Sequence, residues 1–146
     1  MRAETTIVVR RPVSVVWKFF VDVDTLRHWL TGFQRFEHLS GTPGRLGARS
    51  KQIYNVNGRT IEMIEEITVR TDEQEFSGTL TNEWMVSNIR TVFKDLGPSG
   101  TEITSVVESR FIPWYLKIIG PLVMKKGFQA RQDADMKRFK GYVESH

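Results

Sequence analysis

Residues 7–22 read IVVRRPVSVVWKFFVD, and this stretch decides the fold. Residues 4–10, which overlap the start of this stretch, are rich in β-branched side chains, as is typical of a β-strand. Pro12 then suits the first turn of a helix, because the backbone N–H that proline lacks would have no hydrogen-bond partner within the helix there. Apolar residues recur at helical spacing as far as Phe20. Asp22 can cap a second short helix, so the stretch predicts a strand followed by two short helices.

The middle of the chain predicts a series of strands separated by turns. The strongest turn signal is Asn57-Gly58, since both residue types accept the positive φ of a type I′ hairpin. Strands that follow one another through short turns favour a meandering antiparallel sheet. The predicted strands are residues 33–40, 47–56, 59–70, 74–81, 83–95 and 101–112.

The C-terminus predicts a long amphipathic helix lying on this sheet. Apolar residues from Phe128 to Val143 fall on one face, and Lys137 lies on the opposite face. The preceding segment, residues 112–124, has a single charge and two prolines. Pro121 would start, kink or break a helix there. The segment is too short to span a bilayer.

Alternation along the strands predicts which side chains face the interior. Many of the inward residues are small or polar, which a fully packed core would avoid. We therefore expect a cavity lined by apolar groups and a few polar ones. A β-bulge would reverse the faces of a strand beyond it. The predicted inward residues are Ala48, Ser50, Gln52, Tyr54, Val56, Ile61, Met63, Glu65, Ile67, Val69, Met85, Ser87, Ile89, Thr91, Phe93, Ile103, Ser105, Val107, Ser109 and Phe111.

Composition and charge limit the function classes. The 146 residues, 40% hydrophobic, predict a single domain over 1–146 with a real core. Cysteine is absent and the three histidines lack metal-ligand spacing, so we expect neither a metal site nor a cofactor. No run of 18 apolar residues and no apolar leader is present, which predicts a cytoplasmic protein.

The net charge of +4 comes entirely from the C-terminal segment. Residues 1–112 carry 14 Lys and Arg against 14 Asp and Glu, whereas residues 113–146 carry 7 against 3. Because aromatic residues are not interleaved with these cations, we do not expect nucleic-acid binding. The remaining interpretations are a solvated helix face, an anionic membrane or an acidic partner.

The order of elements resembles the START/Bet v 1-like superfamily, and within it the polyketide cyclase/dehydrase and lipid transport group. The likeness covers essentially the whole chain and implies an α+β helix-grip fold, with about seven antiparallel strands wrapped around the long C-terminal helix. Members of the superfamily bind lipids, sterols, hormones, aromatic polyketides or quinones between sheet and helix. The matching motifs are RPVSVVWKFFVD at 11–22, HWLTGF at 28–33, residues 93–103, GPL at 120–122 and MKRFK at 136–140.

The resemblance therefore implies that the protein binds or carries a small hydrophobic ligand in a cavity between the sheet and the C-terminal helix. A cofactor-free polyketide cyclase or dehydratase is the alternative, and a protein-interaction module is the third interpretation. One fold commonly hosts several such functions. The candidate ligand-binding residues are Tyr54, Met63, Glu65, Met85, Ser87, Ile89, Val107, Phe111, Leu122, Met124 and Phe128.

An enzyme of this kind needs a general acid or base beside its ligand, and Glu65 is the candidate. A carboxylate in an apolar cavity has a raised pKa and can exchange protons near neutrality. Gln52 and Tyr54 could polarise a carbonyl, and Arg35 or His38 could reach the cavity mouth. A bulge near Glu65 would instead turn this side chain to solvent.

Residues 112–126 form a candidate lid or site of peripheral membrane contact. Trp114 and Tyr115 suit a water–lipid boundary, and the lysines that follow suit anionic headgroups. In solution, the same side chains could simply cover the cavity. Small residues such as Gly127 and Ala134 along the last helix could admit a close neighbour, so a homodimer is a further possibility.

Overall fold

A computed structural model describes the backbone of residues 1–146 and every side chain except that of Lys125. The chain forms seven strands, three α-helices and one short 3₁₀ turn. In chain order they are β1 (Arg2–Val9), α1 (Val13–Val21), the 3₁₀ turn (Val23–Thr25), α2 (Leu26–Trp29), β2 (Phe33–Ser40), β3 (Arg49–Val56), β4 (Arg59–Thr71), β5 (Glu75–Thr81), β6 (Met85–Asp95), β7 (Thr101–Phe111) and α3 (Trp114–Glu144).

The strands form one antiparallel sheet in the order β1-β7-β6-β5-β4-β3-β2. Strands β2 to β7 are neighbours in chain order, which confirms the predicted meander. Strand β1 joins the far edge by pairing with β7, with Ile7 opposite Ile103. Asn57 and Gly58 have φ values of 53° and 80°, as a type I′ hairpin requires.

The two short helices follow β1 as predicted. Pro12 is the N-cap of α1, and the Asp22 carboxylate accepts the Asp24 N–H at 3.0 Å to start the 3₁₀ turn. Gly32 ends this region with φ 75° and lies against β3, where Asn55 N–H donates to its carbonyl at 2.7 Å. A Cβ at position 32 would meet the Asn55 carbonyl oxygen at 2.2 Å, so this close approach requires glycine.

Helix α3 is longer than the amphipathic pattern predicts. It begins directly after Pro113 and continues through Pro121 over 31 residues, so the apolar segment is its first part. Pro121 therefore neither starts nor breaks the helix. The helix packs on β1, β7 and α2, and Phe139 sits in the core with its ring 5.1 Å from that of Trp29.

The predicted side-chain faces are confirmed along β7, where five alternate residues from Ile103 to Phe111 are buried. The prediction is wrong for Val69, which is 38% exposed. A register shift lies between Ile67 and Val69, and the bulge turns the later residues over. Glu65 precedes the bulge and keeps its inward direction. Gly78 faces the bulge, where a Cβ would stand 2.7 Å from the Glu66 carbonyl oxygen.

Candidate ligand cavity

A cavity of about 170 Å³ lies between the inner face of the sheet and the two short helices. Strands β3, β4 and β5 supply its floor, and the end of α1 together with α2 supplies its roof. Most of the wall is apolar, and the aromatic rings of Phe20, Trp29 and Phe139 hold the roof on the core at centroid distances of 5.1–5.6 Å. The large apolar residues that line it are Phe20, Leu26, Trp29, Leu30, Phe36, Ile67, Phe76, Leu80 and Ile89.

The polar groups of the cavity come from β3 and β4. Ser50, Gln52 and Tyr54 alternate along β3 and therefore share its inner face, and Ser50 pairs with Glu65 across β4. Tyr54 Oη donates to Gln52 Oε1 at 2.5 Å, and Ser50 Oγ donates to Glu65 Oε1 at 3.4 Å. A hydrogen bond between Gln52 and Glu65 joins the two pairs, so these four side chains form one connected polar cluster in a wall that is mostly apolar.

Glu65 is partly buried in this cluster. Burial raises the pKa of its carboxyl group, because the surrounding wall stabilises the charged form less well than water does. Hydrogen bonds from Gln52 and Ser50 act in the opposite direction. Glu65 therefore holds a proton more readily than a surface glutamate does.

Tyr54 stays protonated beside it. Burial raises the pKa of the Tyr54 hydroxyl far above its usual value, and the neighbouring Glu65 charge adds to the rise. The Arg131 guanidinium, 5.7 Å from the ring centroid, opposes it. Tyr54 thus serves as a hydrogen-bond donor that fixes the Gln52 amide.

Trp29 adds an unused donor to the roof. Its Nε1 is the one buried polar side-chain atom without a hydrogen-bond partner among the described residues. Buried donors usually have a partner, so this unpaired N–H is an exception within the roof. At the mouth, His38 Nε2 lies 2.8 Å from the Gly41 carbonyl oxygen.

The structure brings together only part of the predicted ligand site. Tyr54, Glu65 and Ile89 line the cavity, with Gln52 beside them and His38 at the mouth. Arg35 is exposed and does not line it. The other predicted strand residues lie on the inner side of the sheet outside this cavity, namely Met63, Met85, Ser87, Val107 and Phe111.

Several inward-facing polar residues form hydrogen bonds with one another and need no ligand as a partner. Ser87 and Ser109 share a hydrogen bond of 2.6 Å across β6 and β7, and Thr91 and Ser105 share one of 3.2 Å. Such cross-strand pairs stabilise a packed sheet. Their polarity, which suggested a cavity, is explained by pairing in this half of the sheet.

The predicted position of the cavity needs correction. None of the described α3 side chains lines it, and α1 and α2 form the roof that was expected of the C-terminal helix. Leu122 and Met124 are 84% and 46% exposed, and Phe128 is partly buried elsewhere on the helix. Gly120 instead packs on the ring of Phe111, closing that end of the sheet.

The lining residues from the short helices were missed as site residues. The sequence predicts a second short helix here, but not that its residues Leu26, Trp29 and Leu30 line a cavity. The signal for them lies in Gly32, which anchors the end of α2 to β3 at Asn55. No group of three or more His, Cys, Asp or Glu side chains in the described part of the chain is placed to hold a metal ion.

A curved seven-stranded antiparallel sheet with two short helices after the first strand and a long C-terminal helix is the helix-grip architecture of START and Bet v 1-like proteins. The sequence agrees with this class. The chain belongs to the polyketide cyclase/dehydrase and lipid transport family, whose sequence profile matches residues 1–144. No curated protein matches the sequence.

Solved structures share this fold at low sequence identity. TTHA0849 from Thermus thermophilus is 18% identical with a TM-score of 0.79, covering 99% of this chain and 98% of its own. A START superfamily protein from Mycobacterium smegmatis is 16% identical with a TM-score of 0.79, covering 99% and 97%. The Zhui aromatase/cyclase from Streptomyces sp. R1128 is 13% identical with a TM-score of 0.76, covering 99% and 93%.

Proposed function

We propose that the protein binds a small, mostly apolar molecule that carries one hydrogen-bonding end. The observation that supports this is the cavity itself, in which an apolar wall surrounds a single polar cluster of Ser50, Gln52, Tyr54 and Glu65. Small-molecule sites have this composition, because apolar burial contributes affinity and a few polar groups set the orientation.

The volume limits the size of the ligand. An apolar cavity of about 150 Å³ accommodates benzene, whereas sites for larger molecules measure roughly 300–1,000 Å³. At about 170 Å³, the cavity fits one aromatic ring or a short branched chain. A polycyclic or lipid ligand requires the roof of α1 and α2 to move away from the sheet.

The polar cluster specifies the chemistry of the ligand's polar end. The Gln52 carbonyl oxygen is occupied by Tyr54 and the Gln52 side chain also bonds to Glu65, so the group that the cluster offers to a ligand is the Glu65 carboxyl. A carbonyl or phenolic oxygen matches this group, since it accepts from protonated Glu65.

A cofactor-free enzyme of the cyclase or dehydratase type is the second candidate function. It is favoured by one observation, namely that burial raises the pKa of Glu65 inside the cavity. A carboxylate of this kind can remove a proton from a carbon atom beside a carbonyl group and return it elsewhere. Binding alone does not require this proton transfer.

The first experiment is native mass spectrometry of the purified protein, followed by denaturing extraction of any bound molecule. A bound aromatic or quinone-like compound is the expected result. Titration with phenol and 1-naphthol, followed by quenching of tryptophan fluorescence, then tests the cavity directly. Ala48→Leu narrows the cavity and should abolish phenol binding, whereas the matched change Ala130→Leu on the exposed side of α3 should not. Equal phenol binding by both variants would refute the proposed site.

Glu65→Gln distinguishes the two candidate functions. A binding protein keeps its affinity or gains some, because the amide still makes hydrogen bonds and carries no buried charge. An enzyme loses turnover of the extracted compound, typically by about 10²–10⁴-fold for a general acid or base. Turnover by the wild type that Glu65→Gln leaves unchanged would exclude Glu65 as the catalytic group.

A further inference from the structure

The first part of α3 exposes a continuous group of large apolar side chains. Of fifteen such residues with substantial exposure in the described chain, eight lie between 112 and 124. Leu122 is 84% exposed and Trp114 is 74% exposed. Single exposed apolar residues are ordinary, but a contiguous group marks an interaction surface. The α3 apolar surface is defined here by Trp114, Tyr115, Ile118, Ile119, Leu122 and Val123.

The neighbouring turn between β5 and β6 extends this surface. Its residue Trp84 is 48% exposed, and the Trp84 carbonyl accepts the Ile112 N–H at 2.8 Å. Tryptophan and tyrosine are the side chains that favour the boundary between lipid and water. Two tryptophans and one tyrosine therefore stand together at the start of α3.

The sequence along the α3 apolar surface is rich in positive charge. Residues 109–132 contain five cations and neither aspartate nor glutamate. Lys126 follows Leu122 by one helical turn, so both occupy the same face of α3. The nearest acid in the adjoining turn is Glu83. Among the described side chains, the exposed cations of this range are Arg110, Lys117 and Lys126.

We propose that the α3 apolar surface docks on an anionic lipid membrane. The apolar side chains enter the headgroup boundary, and the cations contact lipid phosphates, as in interfacial amphipathic helices. A second copy of the chain fits less well, because a symmetric contact would bring the exposed Lys117 and Lys126 of both copies into one interface. No helix in the described part of the chain has the length and apolarity to cross a membrane, so the contact lies at the surface.

Vesicle flotation tests this proposal. The full chain is mixed with phosphatidylcholine vesicles, with or without about one third phosphatidylglycerol. We expect binding to the anionic vesicles, weaker binding to the neutral ones, and a decrease as salt screens the charges. A wild-type protein that floats with neither kind of vesicle at low salt would overturn the proposal.

Two variants with matched controls locate the surface. Lys126→Glu replaces an attraction by a repulsion and should weaken binding about 25-fold, since one charge at an anionic surface changes binding about fivefold. Leu122→Glu should weaken it about tenfold or more by removing an apolar side chain that enters the lipid in the docked state. Arg59→Glu is the control for Lys126→Glu, and Leu46→Glu is the control for Leu122→Glu; both change exposed residues outside α3. Each control should bind the anionic vesicles more tightly than the α3 variant that it matches.

The outcomes separate a membrane from other occupants. All four changes are at exposed positions, and thermal melting establishes that each variant is folded. Sedimentation equilibrium should show a monomer that binds vesicles. A dimer that Leu122→Glu dissociates, without any vesicle binding, would assign the surface to a second copy and overturn the membrane proposal. Phenol binding in the cavity is measured separately, so the proposed ligand site and the proposed membrane contact are tested independently.

Discussion

Replacing Asp135 by alanine should release the roof of the cavity from α3. The Asp135 side chain is 9% exposed and accepts three donors: the Thr31 N–H at 3.0 Å, the Thr31 hydroxyl at 2.5 Å, and the Arg138 guanidinium. These bonds join the turn after α2 to the last helix. Trp29 and Leu30, which line the cavity, lie directly before that turn.

The expected loss follows from these bonds. Each Thr31 bond to the carboxylate contributes about 1.5 kcal/mol, as hydrogen bonds to charged groups do. The Arg138 pair contributes about 0.5 kcal/mol, because the arginine side chain is 45% exposed and water replaces its partner. The total is about 3–4 kcal/mol. Asp135→Asn should lose roughly half of it, because an amide oxygen can still accept in the place of Oδ1, to which all three donors bond, but carries no charge.

Urea denaturation followed by tryptophan fluorescence measures this loss as a fall in the free energy of unfolding. Lys137→Ala changes an exposed neighbour on the same helix and serves as the control. Phenol affinity should fall with Asp135→Ala, since the roof then samples open positions. A loss below about 1 kcal/mol would refute the assignment of Asp135 as the main tie between α2 and α3.

Two further predictions concern pH. Burial raises the pKa of Glu65 above the ordinary glutamate value of 4.5. As pH rises above 4.5, ionisation of Glu65 is therefore less favourable in the folded protein than in the unfolded chain, and the fold loses stability. Thermal melting should therefore show Glu65→Gln more stable than the wild type at pH 8, with the difference disappearing toward pH 4; a constant difference would contradict this. Glu144 behaves oppositely, since Lys140 and the Arg10 backbone N–H, both at 2.8 Å, lower its pKa to about 2. Its contribution is complete above pH 4.5 and is lost as pH falls toward 2, so Glu144→Gln should cost about 1 kcal/mol at pH 7 in urea denaturation and nothing near pH 2.

The sheet was predictable because its signals are local. Turn residues such as Asn57 and Gly58 mark the hairpins, and alternation assigns the faces wherever the register is regular. Val69 shows where this reasoning fails. The bulge before Val69 depends on the close approach of Gly78 in β5 to Glu66 in β4. A contact between two strands does not change the alternation of apolar and polar residues within either strand, so the sequence gives no sign of it.

The cavity was predictable in composition but not in position. Tyr54, Glu65 and Ile89 were assigned correctly to the inner face, and they line the cavity. Which helix covers that face depends on tertiary contacts between distant parts of the chain. The bonds of Arg138 to the Trp29 carbonyl at 3.2 Å and of Arg131 to the Thr31 carbonyl at 2.8 Å tie α3 beside α2, away from the floor of the cavity.

The two parts of α3 differ in the number of faces that are apolar. From Phe128 onward, apolar residues occupy one face, and the polar ones bond to β1 and α2, as Asp133 does to Thr5 at 2.6 Å. Residues 114–124 are apolar nearly all round, so packing one face on Phe111 leaves the others exposed. A helix of this kind is stable when a second apolar environment covers it. The loss of periodicity that hid the start of α3 from prediction is therefore the same property that supports its docking on a membrane.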